Sequence, residues 1–251
     1  MAKYSILDDE SNLIVGTCED IVGLSGECTI IDENESFHKI ILEDFKITQS
    51  FLDYCIKTKS SVTNIHLGIM DVYGNSIGSY YYSLKVPLYF HKSGPENKQR
   101  YVELIGTLLT KASKEALEIF FGWRQSPPAS INLWSSLTEQ QREGWLEVAR
   151  LYLKRSPNQQ VEKHGVYTFD ATYVKDSTSF FCALGEAING PGGYFGYDLL
   201  SLEDCLCGGF GVVPPITLNL QNDSDFFKTD SVFFTQLKEI FTDRQVKIVR
   251  L

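Results

Sequence analysis

Apolar and polar positions follow a different pattern in each of three sections of the chain. Residues 1–92 contain short β-branched and aromatic runs, separated by polar turn residues such as DDES and YGN. Runs such as KYSIL, NLIVG and SYYYSLKV are typical of strands. This section is therefore predicted to be a β-rich module. Within it, the stretch QSFLDYCIK at 49–57 fits either a short helix or another strand.

Residues 93–165 are predicted to form a linker and a helical connecting section. HKSGPENKQ at 91–99 is polar and contains Gly and Pro, so it is predicted to be a linker. YVELIGTLL follows as a strand and SKEALEIFFGW as a helix, which RQSPPAS ends because prolines disfavour helix. Thr138 and Gln141 match a capping box. Trp145 and Tyr152 then lie on one helix face, and this pattern favours packing over a cofactor role. A second linker, KRSPNQQVEKHG, is predicted at 154–165.

Residues 166–251 alternate between strand and helix patterns. The strands are VYTFDATYV, PITLNL and VKIVRL, and the helices are SFFCALGEAI, LLSLEDCL and VFFTQLKEIF. Asp176 precedes the first helix and is predicted to cap it. Strands that alternate with helices indicate a small parallel sheet with helices packed on it. The predicted fold class is therefore α/β for this section, preceded by the β-rich module and a mixed helical middle section.

Composition and charge narrow the possible functions. The chain has 251 residues and a formal net charge of −9, with 11 acidic and 6 basic residues in 166–251. Binding of a phosphate backbone needs a basic surface, so we expect no direct binding of nucleic acid. There is neither an apolar run long enough for a membrane span nor a secretory signal, and we expect a cytoplasmic protein without a membrane partner. The six cysteines form no C-x-x-C pair, which favours reduced core thiols, no metal site and no cofactor.

The glycine-rich segment INGPGGYFGYDLLSLEDCLCGGFG, from residue 188, combines flexible backbone with acidic residues. A phosphate cradle is disfavoured because the loop lies between two helices, lacks the Lys-Ser/Thr pair of a P-loop and is followed by carboxylates. Acid–base catalysis by Glu203 and Asp204 is also disfavoured, since adjacent helical residues point about 100° apart. One remaining possibility is an ordinary solvated acidic helix face. No catalytic residues are predicted.

Another possibility uses all of these features together. The loop and helix would present Tyr194, Asp198 and Asp204 as an acidic and aromatic surface, and the glycines would let a partner approach closely. Carboxylates held in this way can imitate RNA phosphates in the cationic cleft of a ribonuclease. Complementary charge would then accelerate association.

Residues 166–251 resemble the barstar family of intracellular ribonuclease inhibitors. The resemblance rests on YTFD, on Tyr194-Phe195-Gly196, on the L-x-x-L-x-D-C-L run that ends at Leu206, and on Gly208 with the closing strand, helix and strand. GEAINGPGGYFG also resembles longer, multidomain bacterial barstar-like proteins. The resemblance implies a three-stranded parallel sheet with helices packed on it, in a domain that spans 166–251.

The resemblance also implies which residues face a partner. In this sequence the matched positions are Tyr194, Asp198, Leu199, Asp204, Gly208 and Gly209. Asp204 corresponds to the acid that enters the nuclease's phosphate site. Glu203 stands where the family has an aromatic residue, Leu200 stands where its best-known member has a second aspartate, and Asp243 is the closest match to an acid late in the third helix.

The expected function is that of a non-enzymatic immunity-type protein, which binds a basic ribonuclease or ribonuclease toxin and occludes its active site. One alternative is a non-inhibitory interaction module that reuses the same surface, with Leu200 in an apolar contact patch. A third is an enzyme built in the N-terminal section, although the sequence there contains no recognisable catalytic grouping.

Overall fold

The computed structural model describes residues 2–32, 35–90, 98–153, 162–163, 165–222 and 232–250. The chain divides into two compact units, Met1–Lys114 and Glu115–Leu251. Its strands are β1 Tyr4–Asp8, β2 Ile14–Cys18, β3 Asp20–Val22, β4 Thr29–Asp32, β5 Glu35–Ile47, β6 Val62–Met70, β7 Ser76–Leu88, β8 Lys98–Leu108, β9 Glu162–Lys163, β10 Val166–Asp170, β11 Val212–Val213, β12 Ile216–Gln221 and β13 Val246–Arg250. Its helices are α1 Gln49–Thr58, α2 Lys114–Trp123, α3 Glu139–Leu153, α4 Ser177–Asn189, α5 Leu199–Leu206 and α6 Val232–Asp243, and a 3-10 turn spans Leu133–Ser136.

The first unit is built on an antiparallel sheet that closes on itself. Its strand order is β2-β1-β6-β7-β8-β5, and β2 also pairs with β5, while β3 and β4 pair with β5 outside this ring. Alternate residues of β5, among them Ile40 and Leu42, are buried, as expected for strands with one face in a core. The ambiguous stretch 49–57 lies in α1, which buries Phe51 and Cys55 at helical spacing.

The first unit extends past the boundary predicted after residue 92. β8 pairs with β5 from His38↔Gly106 to Lys46↔Lys98, and it also pairs with β7. These pairings complete the closed sheet, so β8 belongs to the β-rich unit and not to a connecting section. Of the linker predicted at 91–99, residues 91–97 lie outside the described residues, and Lys98 already begins β8.

The second unit contains a parallel sheet in the order β10-β12-β13. The register runs from Val166↔Thr217 between β10 and β12, and from Ile216↔Val246 between β12 and β13. Every predicted strand and helix of residues 166–251 is present in the expected order. The mixed α/β class, with a β-rich first section and a small parallel sheet later in the chain, is therefore confirmed.

The second unit begins well before residue 166. α2, the 3-10 turn and α3 are part of it, so the section predicted to be a connector is folded into this unit. Trp123 of α2 packs edge-to-face on Trp145 of α3, with ring centroids 5.2 Å apart. The predicted capping box of α3 is confirmed, because Gln141 N donates to Thr138 Oγ1 at 3.3 Å and Thr138 N to Gln141 Oε1 at 3.0 Å. Within the predicted linker 154–165 the structure describes only β9 and Gly165.

The structure bears on two predictions made from composition, the absence of a membrane span and the reduced state of the cysteines. In the described part of the chain, no helix is both long enough and apolar enough to cross a membrane. The cysteines are unpaired: four are buried, Cys28 is half-buried and Cys207 is exposed. Burial, reinforced by nearby carboxylates, raises the pKa of Cys18 to about 12, which keeps this thiol protonated and unreactive.

Candidate functional site

The candidate surface comprises residues 197–209 and is referred to below as the α5 surface. Asp198 is the N-cap of α5, and its Oδ1 accepts a hydrogen bond from Ser201 N at 2.7 Å. Ser201 Oγ in turn accepts from Asp198 N at 3.0 Å, which completes a capping box. Asp198 is exposed, as predicted, but its carboxylate already has a structural function at the helix start.

Asp204 is exposed on the solvent side of α5. Within the described residues, its carboxylate has no hydrogen-bond or ion-pair partner. Leu200 lies one turn earlier on the same helix face and is 71% exposed, and Tyr197, just before the helix, is 52% exposed. The α5 surface therefore combines an unpaired carboxylate with exposed apolar groups. Leu200 faces solvent and not the core.

Gly208 and Gly209 end the α5 surface. Their φ angles are +115° and +87°, in the region that favours glycine. No heavy atom outside the adjoining residues lies within 4 Å of the position that a Cβ of Gly209 would occupy. Gly209 is exposed, so its backbone can meet a partner directly, whereas Gly208 is half-buried and a Cβ there would lie 3.4 Å from Val213 Cγ2.

Glu203 connects α5 to the end of α6. Its Oε1 lies 3.4 Å from Nη2 of Arg244, and both side chains are part-buried. Asp243, the last residue of α6, directly precedes Arg244 and is exposed. Glu203, next to Asp204 in the sequence, is therefore already paired inside the chain.

Tyr194 does not belong to the exposed surface, contrary to the sequence-based expectation. It is 2% exposed and packs against Phe210, with ring centroids 6.0 Å apart. The side-chain amide of Asn189 donates to Tyr194 O at 2.8 Å and to Phe210 O at 3.1 Å, which holds this loop on the core. Burial also raises the pKa of the Tyr194 hydroxyl. The exposed aromatic residue of the α5 surface is Tyr197, which was not among the predicted site residues. The predicted Leu199 is half-buried.

The second half of the glycine loop that precedes α5 packs inside the chain. A Cβ on Gly185 of α4 would lie 2.3 Å from Gly193 O, and a Cβ on Gly193 would lie 2.5 Å from Gly185 O. Helix and loop can approach this closely only because neither residue has a side chain. The expectation that glycines of this segment let a partner approach is therefore wrong for Gly193. For Gly208 and Gly209 it stays a prediction.

Glu186 fixes the same loop from within α4. It is 6% exposed. Its Oε1 accepts from Gly192 N at 3.1 Å, and its Oε2 accepts from Asn132 N at 2.7 Å and Trp134 Nε1 at 2.8 Å. In the sequence, Glu186 is marked only as the lone carboxylate within the apolar run SFFCALGEAI, a signal that no motif reinforces.

Arg142 makes a second buried polar connection between α3 and α4. Only 1% of its side chain is exposed, and it pairs with Asp176, the N-cap of α4. Arg142 Nε also donates to Thr178 Oγ1 at 3.0 Å, and Nη1 to Leu137 O at 2.6 Å. Burial raises the pKa of Asp176, but hydrogen bonds from Ser179 and Thr178 together with Arg142 outweigh it, so the pKa lies below its usual value.

The histidines of the first unit lie in different environments. His38 is buried, and its Nδ1 accepts from Leu108 N at 3.3 Å; burial, with a contribution from Lys111, lowers its pKa. His66 Nε2 lies 2.9 Å from Asp9 Oδ1 on the surface. No group of three or more His, Cys, Asp or Glu side chains suited to a metal ion occurs in the described residues.

Comparison with known proteins gives no match: no family model, no curated protein and no solved structure matches this chain.

Proposed function

We propose that this chain binds a basic ribonuclease or ribonuclease toxin through the α5 surface and occludes its active site. The proposal rests on the resemblance of residues 166–251 to the barstar family. The parallel sheet β10-β12-β13, with α4 and α5 inserted between its first two strands in the sequence, is compatible with such a domain.

The observation that carries the proposal is the exposed Asp204 carboxylate. It lies on a short helix whose start is fixed by the Asp198 capping box, and the open backbone of Gly209 follows. A carboxylate held on a rigid element is preorganised to receive a cation, so little conformational entropy is lost on binding. Asp204 would take the place of an RNA phosphate, with Asp243 adding negative charge.

The overall charge supports the same kind of partner. The chain has a formal net charge of −9, and residues 166–251 contribute −5 of it. An acidic inhibitor and a basic nuclease attract each other before contact, which accelerates association and makes its rate sensitive to salt. Glu203 would exchange its internal partner Arg244 for solvent or for a cation of the nuclease.

The direct experiment uses the intact chain to capture binding partners from a lysate of its own cell and from among the products of neighbouring genes. Each captured partner is then assayed for RNA cleavage with and without this chain. The proposal predicts a basic nuclease that is silenced at one equivalent of this chain. An RNA-cleaving partner that remains fully active in a saturated complex would contradict it.

A second candidate function is a non-inhibitory interaction module. The exposed Leu200, beside the exposed Tyr197, favours it, because an apolar group on this face fits a partner without a strongly cationic cleft. The two functions differ in the salt dependence of association: a steep fall in rate with ionic strength supports the inhibitor, and a flat response supports the module.

A further inference from the structure

The second unit contains a half-open pocket whose lining includes no residue of the α5 surface. It lies beside Thr168 and Asp170 of β10, Glu186 of α4 and Asn132, which precedes the 3-10 turn. Its volume is about 170 Å³. Since a cavity needs only about 10–15 Å³ of such space to hold one water molecule, the pocket has room for a group much larger than water. That is the size of one long side chain or a small organic molecule, and not of a nucleotide.

Two acidic residues, Asp170 and Glu186, line this pocket, and the carboxylate of neither is paired with a cation in the described part of the chain. Asp170 Oδ1 accepts from Thr172 N at 3.0 Å, Thr172 Oγ1 at 2.6 Å and Asn222 Nδ2 at 3.1 Å. Burial raises the pKa of Asp170, but hydrogen bonds from Thr172, Asn222 and Asn132 outweigh it and lower the pKa, so the side chain remains ionised. All of these donors are neutral.

Glu186 is likewise hydrogen-bonded by neutral donors alone, namely two backbone amides and one indole. A carboxylate offers about four acceptor sites, so roughly one is left unused. Buried charge is costly unless it is paired or fully hydrogen-bonded. The polar part of the pocket therefore carries negative charge, and its lining residues include no Lys, Arg or His.

The rest of the lining is apolar. Ile131, Ala183 and Ala187 complete the wall. A complementary ligand thus has a cationic head for the carboxylates and a short aliphatic stem for these side chains. A guanidinium meets the first requirement best, because it is planar, always charged and offers five donors suited to carboxylates.

We propose that this pocket binds a guanidinium group on a short aliphatic stem, either of a small free molecule or of an arginine side chain of a polypeptide. Asp170 and Glu186 hold the charged head, Asn132 and Thr168 line the polar side, and the alanines contact the stem. The proposal does not depend on the ribonuclease inhibitor function or on the α5 surface.

The test uses butylguanidinium as the probe and butylurea as its neutral isostere, titrated into the full chain by calorimetry and by amide NMR. We expect saturable one-to-one binding of butylguanidinium, with shifts of the amide NMR signals of Asn132, Thr168 and Asp170. Butylurea should bind at least about tenfold more weakly, because it cannot form a charge-assisted hydrogen bond with the carboxylates. Equal binding of both probes by the unmodified chain, or no saturable binding of butylguanidinium, would overturn the proposal.

Asp170→Asn tests the site directly, since it keeps the shape of the side chain and removes its charge. Asp71→Asn is the matched control, because Asp71 makes a similar turn in the first unit, accepting from Tyr73 N and Asn75 N at 2.8 Å. We expect about a tenfold loss of butylguanidinium affinity for Asp170→Asn alone. An equal loss in both variants contradicts the assignment of the pocket.

The two sources of the guanidinium are distinguished with a blocked Gly-Arg-Gly tripeptide. Binding as tight as that of butylguanidinium assigns the pocket to an arginine of a polypeptide. Binding of butylguanidinium alone assigns it to a small free molecule, because peptide flanks do not fit the mouth. Both results support guanidinium recognition, and failure of both probes overturns it.

Discussion

The loop before α5 depends on the Glu186 carboxylate, which accepts three hydrogen bonds while buried. Glu186→Gln replaces one acceptor oxygen with an NH2 donor, which must face one of the existing donors. We expect a loss of about 1–3 kcal/mol in the free energy of unfolding, measured with urea. Glu118→Gln, on the exposed side of α2, is the control and should change little. Equal effects of the two substitutions would contradict the structural function of Glu186.

Asp176 makes the stability of the fold sensitive to acid. Its pKa is lowered from 3.8 in the folded state, so its contribution to stability is complete above that value and is lost as the pH falls through the lower folded pKa. Asp176→Asn should therefore be less stable than the parent chain near neutral pH. The difference should shrink as the pH drops below about 4, measured by urea unfolding at each pH. A difference that does not change with pH would contradict this prediction.

At the scale of elements, alternation and capping signals were sufficient to predict the three helices and the three sheet strands of residues 166–251, but not the two-residue strand β11, which pairs with β9. The exposure of individual side chains was harder to predict, because residue type alone does not determine which of two tyrosines packs in the core. Tyr194 and Tyr197 are three residues apart, yet Asn189 ties the first to the core and the second faces solvent. The function of Asp198 as a helix cap was also missed, although Asp176, with the same Asp-x-x-Ser spacing, was recognised as one.

The contact between α4 and the glycine loop is tested by Gly185→Ala. The new Cβ would meet Gly193 O at 2.3 Å, so helix and loop must separate. We expect a loss of about 1–3 kcal/mol, the usual effect of overpacking, in chemical denaturation. The matched control is Gly122→Ala in α2, where a Cβ meets nothing within 4 Å and the gain in helix propensity is up to about 1 kcal/mol. The same sign for both substitutions would contradict this account.

At the scale of the whole molecule, unit boundaries depend on pairing between distant segments, which local patterns do not reveal. YVELIGTLL was recognised as a strand, but its partners β5 and β7 precede it in the sequence on the far side of a predicted linker. In the same way, α2 and α3 contain ordinary helix signals, while Arg142 and the Glu186 partners Asn132 and Trp134 connect this section to α4.

The extent of the second unit predicts how fragments fold. A fragment of residues 115–251 retains the partners of Glu186 and Arg142, whereas a fragment of residues 166–251 loses Asn132, Trp134 and Arg142 and exposes the buried face of α4. We expect the longer fragment to unfold cooperatively in urea and the shorter one to be less stable by several kcal/mol or unfolded, as followed by circular dichroism. Equal stability of the two fragments would show that residues 115–153 contribute nothing to this unit.

The central claim, that Asp204 on the α5 surface occupies the cationic site of a ribonuclease, is tested most directly by measuring the affinity of Asp204→Ala for the nuclease that the intact chain silences. Removal of the carboxylate would leave a buried cation of the nuclease unpaired, so we expect a loss of about 2–5 kcal/mol in calorimetry, together with loss of inhibition in the RNA-cleavage assay. Glu118→Ala removes one negative charge outside this surface and should leave both nearly unchanged. Undiminished affinity of Asp204→Ala would contradict the account.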